Sequence, residues 1–144
     1  MADDVDVLMP DMDVQIGDET VTVREYRFRE GLQVAARAQD FLRDLGRMFL
    51  QEDGSPVDSV DLDDLQTLFG LHEDEVTWMI AKSIDKPPSW LDKLNDEDGL
   101  ALMHVWWSVN QPFFTRRLVT AAATRRMTAT ATAAPADSES SLPH

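Results

Sequence analysis

A small, mainly α-helical domain with an N-terminal β-hairpin and a disordered C-terminal tail is the fold that this sequence predicts. Three observations predict it. Period-two β-branched residues flank a Gly-Asp pair near the start of the chain. Apolar residues then recur at spacings of three and four through most of the remaining chain, the period of an amphipathic helix. From Thr128 the composition turns to Thr, Ala, Ser and Pro, which cannot build a packed core. The 144 residues suit one domain, and six Phe, four Trp and seven Met supply it with bulky core material.

The expected organisation is a flexible acidic lead-in over residues 1–13, a single helical domain over 14–127 with its hairpin at 14–24, and a disordered tail over 128–144. In the hairpin, Val14 and Ile16 alternate with Gln15, and Val21 and Val23 alternate with Thr20 and Thr22. An isolated hairpin is marginal in water, so it must pack on the helices.

A first helix is expected from about Arg29 to Gln51, with Val34, Ala38, Phe41, Leu42, Leu45, Met48 and Phe49 on one face. Arg37, Asp40, Arg43, Asp44 and Arg47 fall mostly on the other. Gly46 leaves room for close packing, and Glu52 to Pro56 ends the helix with loop chemistry. Ser59 or Asp61 can cap a second helix carrying Leu62, Leu65, Leu68 and Phe69, closed near Gly70. Glu73, Asp74 and Glu75 suit the N-terminus of a third, which carries Val76, Met79, Ile80 and Ile84. Pro87-Pro88 stops it.

Ser89 to Asp92 restarts the chain in a capping-box-like pattern, with Trp90 expected to anchor a short helix in the core. Asn95-Asp96-Glu97-Asp98 opens the next helix, carrying Leu100, Met103, Trp106 and Trp107. Pro112 suits the first turn of a separate last helix with Phe113, Phe114, Leu118, Val119 and Ala122.

The formal net charge of −14 repels phosphate backbones, so general nucleic-acid binding is not expected. The charge is uneven: acids dominate to about Asp98, and Arg116, Arg117, Arg125 and Arg126 make a basic C-terminal segment. No apolar run approaches the ~20 residues of a membrane span. No signal peptide is visible, and with no Cys there is no disulfide scaffold or thiolate chemistry, so a reducing cytoplasm is the default.

No catalytic, cofactor-binding or metal-binding residue can be named. His72-Glu73-Asp74-Glu75 lacks the second His of a zinc-protease helix. Asp61, Asp63 and Asp64 begin like a calcium loop, but Gln66 and His72 stand where Gly and Glu are required; helix capping explains the acids better. A lone His104 in an apolar helix reads as a packed or half-exposed residue. The expectation is a protein that is not an enzyme.

The aromatic stretch is more informative. Trp90, Trp106 and Phe114 read as core. Adjacent Trp106 and Trp107 diverge by ~100° around a helix, as do Phe113 and Phe114, so burying both members of a pair requires cover over a wide arc. One of each pair is expected at a rim, next to the basic cluster. That marks Trp107, Phe113, Arg116 and Arg117 as the candidate partner-binding surface.

The order of parts resembles the tail assembly chaperones of long-tailed bacteriophages and prophages. The resemblance spans about residues 14–118: the Val14 to Val23 hairpin, Arg24 to Phe28 leading into an amphipathic helix, a Trp-x-x-x-Leu element at Trp90 to Leu94, an acidic helix start, and an Asn-x-x-Phe-Phe ending at Asn110, Phe113 and Phe114. Each piece alone is common. The resemblance implies a mostly helical, non-enzymatic protein of the host cytoplasm. It would bind the tape measure protein, keep it soluble and help the major tail tube protein assemble around it. It implies no cofactor, no nucleic-acid or membrane partner, and leaves room for weak self-association. Two rivals stand beside it: an acidic phage-encoded inhibitor or adaptor of a basic nucleic-acid-binding host protein, presenting Asp61, Asp63, Asp64, Glu73, Asp74 and Glu75, and a minor tail component of the virion.

Overall fold

The structure, a computed structural model, describes residues 11–141, with side chains through Thr128. Most of the expected acidic lead-in, residues 1–10, lies outside the described residues. So do residues 142–144 and the side chains of 129–141, which make up almost all of the expected tail.

The hairpin comprises β1 (Met12–Ile16) and β2 (Glu19–Val23), paired antiparallel from Met12 opposite Val23 to Ile16 opposite Glu19. It begins two residues earlier than expected. Gly17 takes φ +60° in the two-residue connection, a conformation that costs glycine little. Ile16, Val21 and Val23 are buried, while Thr22 and Asp13 are joined on the solvent face by a 2.8 Å hydrogen bond. Each buried Val or Ile contributes about 1.5–3 kcal/mol, so the hairpin is held by the helices beneath it.

The expected first helix is two helices, α1 (Phe28–Arg37) and α2 (Gln39–Phe49), broken at Ala38 with φ −111° and ψ 40°. No Gly or Pro marks the break, and the group it frees is satisfied by a tertiary contact. In the first turn of α2 the freed Phe41 N–H donates to the Glu75 carboxylate at 3.0 Å, while Ala38 and Phe41 are both fully buried.

The second expected helix is α3 (Leu62–Leu71), capped by Asp61, whose carboxylate accepts the Asp63 N–H at 2.8 Å. Gly70 lies within it, and His72 closes it. α4 (Glu73–Ser83) carries the three expected acids in its first turn. It ends in a Schellman arrangement: Lys86 N–H donates to Ala81 O, and Asp85 takes φ +59° where glycine is usual.

Pro88–Lys93 forms a 3-10 turn, and Trp90 within it is half-buried rather than core. The ammonium groups of Lys93 and Lys86 lie 4.9 and 5.5 Å from its ring centre.

α5 (Asp96–Ser141) opens with the Asn95 carboxamide accepting the Asp98 N–H at 2.8 Å. The expected break at Pro112 is absent, and the helix runs through it. Pro112 leaves the Ser108 carbonyl without its helical donor, but Ser108 is exposed, so water can satisfy it. α5 is the central strut. Leu102, Trp106, Val109, Phe113, Phe114, Leu118 and Ala122 along it are buried. Around Trp106 and Phe114 the rings of Phe41, Phe69 and Trp107 pack at centroid separations of 5.5–6.1 Å, mostly edge to face.

Candidate functional site

The stretch between β2 and α1 sets the site's frame, and Asn110 on α5 holds that stretch. The fully buried Asn110 carboxamide accepts the Tyr26 N–H at 3.0 Å and donates to Arg24 O at 3.1 Å. The Ser83 hydroxyl donates to the same Arg24 carbonyl at 2.6 Å, and Arg24 N–H donates back to Ser83 O. The Tyr26 hydroxyl donates to Met79 O and accepts the Trp106 indole N–H at 2.9 Å. Burial pushes the Tyr26 hydroxyl well above its ordinary pKa, with the Trp106 donor opposing. Hairpin exit, α4 and α5 are thereby locked together by satisfied buried polar groups.

Outside this network the Arg24 guanidinium meets Glu30 at 3.0 Å and Asp85 at 2.9 Å. Burial pushes the Glu30 carboxyl up, but the hydrogen bonds from Arg24 and the Arg27 N–H, together with the charge of Arg24, outweigh it and hold the pKa below its ordinary value. Buried Glu25 meets Arg116 at 2.8 Å.

The structure divides the expected partner surface. Phe113, Arg116 and Arg117 do come together, lining a cavity of about 570 Å³ with Tyr26, Arg27 and the 74% exposed Phe28. Trp107 does not join them. Six residues before Phe113, it points about 120° away around α5. It stacks on Phe114 at 5.6 Å and packs edge-on to Phe49. Nor is Phe113 a rim residue: it is buried against Tyr26 and Phe114. α5 is covered over a wider arc than a two-layer packing provides, so both members of each aromatic pair find neighbours. Arg117 lies over the Phe113 ring at 5.5 Å.

A larger groove, of about 1020 Å³, runs between α2 and the distal half of α5. Leu42, Gly46 and Leu50 form one side of its floor, and Leu118, Ala121 and Ala122 the other. A Cβ at Gly46 would stand 3.6 Å from the Leu118 side chain, an ordinary van der Waals distance, so the packing of α2 on α5 does not require glycine there. Arg43 and Arg47 rise from α2, and Arg117, Arg125 and Arg126 from α5. Glu52 is the one carboxylate-bearing residue among the described residues that line it. Arg117 and Thr120 line both cavities, so the two adjoin along α5. Together they gather seven of the ten arginines of a chain whose net charge is −14. Arg43 and Arg47 meet Asp40 and Asp44 at 3.0 and 3.2 Å, and Arg126 donates to Asp53 O. Among the described residues, no carboxylate lies within ion-pair distance of Arg117 or Arg125.

The sequence alone does not assemble this groove. Arg43 and Arg47 are visible in it as the polar face of one helix, and Arg125 and Arg126 as a basic segment. Nothing in the spacing says that these face each other.

The two histidines among the described residues, His72 and His104, are accounted for locally. His72 Nε2 meets Asp44 at 2.8 Å and its Nδ1 lies 3.4 Å from Glu75, while exposed His104 pairs with Gln66. The His72 hydrogen bond, with its charge and those of Arg43 and Arg47, holds the Asp44 carboxyl below its ordinary range. Asp61 caps α3 and Glu75 holds the Phe41 N–H, so two of the six acids expected of an inhibitor surface have structural duties. Among the described residues no group of three or more His, Asp or Glu side chains could hold a metal ion. No described helix is long and apolar enough to cross a membrane.

Comparison with protein families matches residues 4–144 to DUF6631, a family of unknown function. The chain belongs to DUF6631. Comparison with curated proteins and with solved structures found no match. For this member of DUF6631, the groove between α2 and α5 sets an apolar floor among five arginines in a chain whose net charge is −14.

Proposed function

We propose that this DUF6631 chain is a non-enzymatic assembly chaperone of phage tails in the host cytoplasm. Its client is the helical tape measure protein, held so that the major tail tube protein can assemble around it. The observation that carries the reading is the groove between α2 and distal α5. It is long, open, apolar along its floor and walled by two helices, which is the form that receives an amphipathic helix. The acidic remainder of the surface keeps a complex with an apolar client dissolved. The order of hairpin, helices and Asn-x-x-Phe-Phe ending, which resembles tail assembly chaperones, supports the same reading.

The test is co-expression with a candidate tape measure protein, comparing the wild-type chain with Ala121→Asp. Ala121 is exposed on the groove floor, so the variant is expected to fold. Wild type should keep the client soluble and co-purify with it, and the folded variant should fail. Equal performance of the two would show that the client does not bind in the groove. Salt-sensitive binding of a basic host protein in place of any tape measure protein would favour the inhibitor reading. Trp107→Ala/Phe113→Ala is the poorer probe, since both residues pack against the aromatic core and their loss reports on folding.

A further inference from the structure

We infer that the groove between α2 and α5 selects an acidic amphipathic helix, one whose apolar stripe is flanked on both sides by carboxylates. The inference deepens the proposed function by naming the chemistry of the occupant, and it rests on the same groove. The floor is apolar and takes the stripe. The two walls are basic: Arg43 and Arg47 stand four residues apart on α2, one helical turn, and Arg117 and Arg125 stand eight apart on α5, about 12 Å along the axis. A helix of Leu residues at i, i+3, i+4 and i+7 laid on the floor carries its flanking positions past both rows. Glu at those positions meets a guanidinium on either side, and Lys there meets like charge.

The protein's own composition makes this a choice rather than a consequence of net charge. A body of −14 repels an acidic partner over most of its surface. At physiological ionic strength that repulsion is screened beyond about 8 Å, so groups inside the groove respond to the rim nearest them. Arg117 and Arg125 have no carboxylate at ion-pair distance among the described residues; exposed Arg125 is open to a partner, and Arg117 has only the Phe113 ring beneath it, so neither must give up an ion pair to meet one. Arg43 and Arg47 are more than half exposed, and their contacts with Asp40 and Asp44 are surface ion pairs of small net worth, which an incoming carboxylate can replace. Acidic partners are thereby excluded elsewhere and admitted at one place.

The experiment uses the full chain and two labelled synthetic helices, identical in their Leu stripe, with Glu or Lys at the flanking positions. Fluorescence anisotropy should show the Glu helix binding at least tenfold more tightly than the Lys helix. Arg117→Glu/Arg125→Glu, shown by circular dichroism to be folded, should lose at least tenfold toward the Glu helix and gain toward the Lys helix. That exchange of preference is something a merely destabilised variant would not produce. Equal binding of the two helices by wild type, no binding of the Glu helix, or a reversed variant with unchanged preference each overturns the inference. Failure of the tape measure co-expression alongside Glu-helix binding that exchanges as described would remove the tape measure as client and leave the groove's selectivity intact.

Discussion

Asn110→Ala should destabilise the protein by about 2–4 kcal/mol, and the structure shows where that comes from. The carboxamide oxygen is the acceptor for the Tyr26 N–H at 3.0 Å. Without it a buried backbone donor is stranded, at a cost of about 1–3 kcal/mol. The Arg24 carbonyl suffers less, because the Ser83 hydroxyl still donates to it at 2.6 Å. Asn110 is fully buried, and the space left by its three lost heavy atoms adds about 1 kcal/mol. Against a typical total of about 5–15 kcal/mol this is a large fraction. Urea denaturation followed by tryptophan fluorescence measures it, with the midpoint expected to fall and the slope to stay constant. Asn110→Asp separates the two hydrogen-bonding roles. It keeps an acceptor for Tyr26 but loses the donor and sets a carboxylate against the Arg24 and Trp106 carbonyls, so it should cost at least as much at pH 7 and less once protonated. A loss below about 1 kcal/mol for Asn110→Ala would refute the claim that this side chain ties the hairpin exit to α5.

Gly31→Ala should destabilise despite Ala's better helix propensity: its Cβ would stand 2.8 Å from the buried Phe113 ring and 2.9 Å from Arg117 Nη2, and overpacking of about 1–3 kcal/mol outweighs a gain of about 1 kcal/mol or less, measurable by thermal denaturation. Glu30 contributes stability that is fully present above its unfolded pKa and lost as pH falls through its lower folded value. The stability gap between wild type and Glu30→Gln should therefore be constant from pH 7 to about pH 5 and shrink toward pH 3. Trp90→Ala should cost about 2 kcal/mol, below the about 3–5 kcal/mol of a fully buried ring such as Trp106, because Trp90 is half-buried and its Nε1 has no hydrogen-bond partner among the described residues.

The local signals in the sequence are reliable where the cause is local. The Gly17-Asp18 turn, the Asp61 cap and the acidic starts of α4 and α5 all stand where short-range chemistry puts them. The buried set Val34, Phe41, Leu45, Val76, Met79 and Ile80 accords with helical period. The features that the sequence hides have long-range causes. At the break at Ala38, the freed Phe41 N–H finds its acceptor in Glu75, 34 positions beyond it. The continuity of α5 through Pro112 depends on packing on both sides that outweighs one lost hydrogen bond. Trp90 reads as core because it is large and succeeds two prolines, whereas it packs against the core's edge, half-buried, with two lysine ammonium groups over its ring. The candidate site is the least legible, because rim arginines from positions 43 to 126 meet only after α2 and α5 have packed.

The proposed function puts a helical client between α2 and distal α5. A photo-crosslinking residue in place of Ala121, in cells co-expressing a tape measure protein, tests it most directly. A single crosslinked product is expected, mapping to an amphipathic, carboxylate-flanked helix of the client, with none formed from a control position at exposed His104 on the proximal half of α5. A client that co-purifies but crosslinks from His104 and not from Ala121 would contradict it.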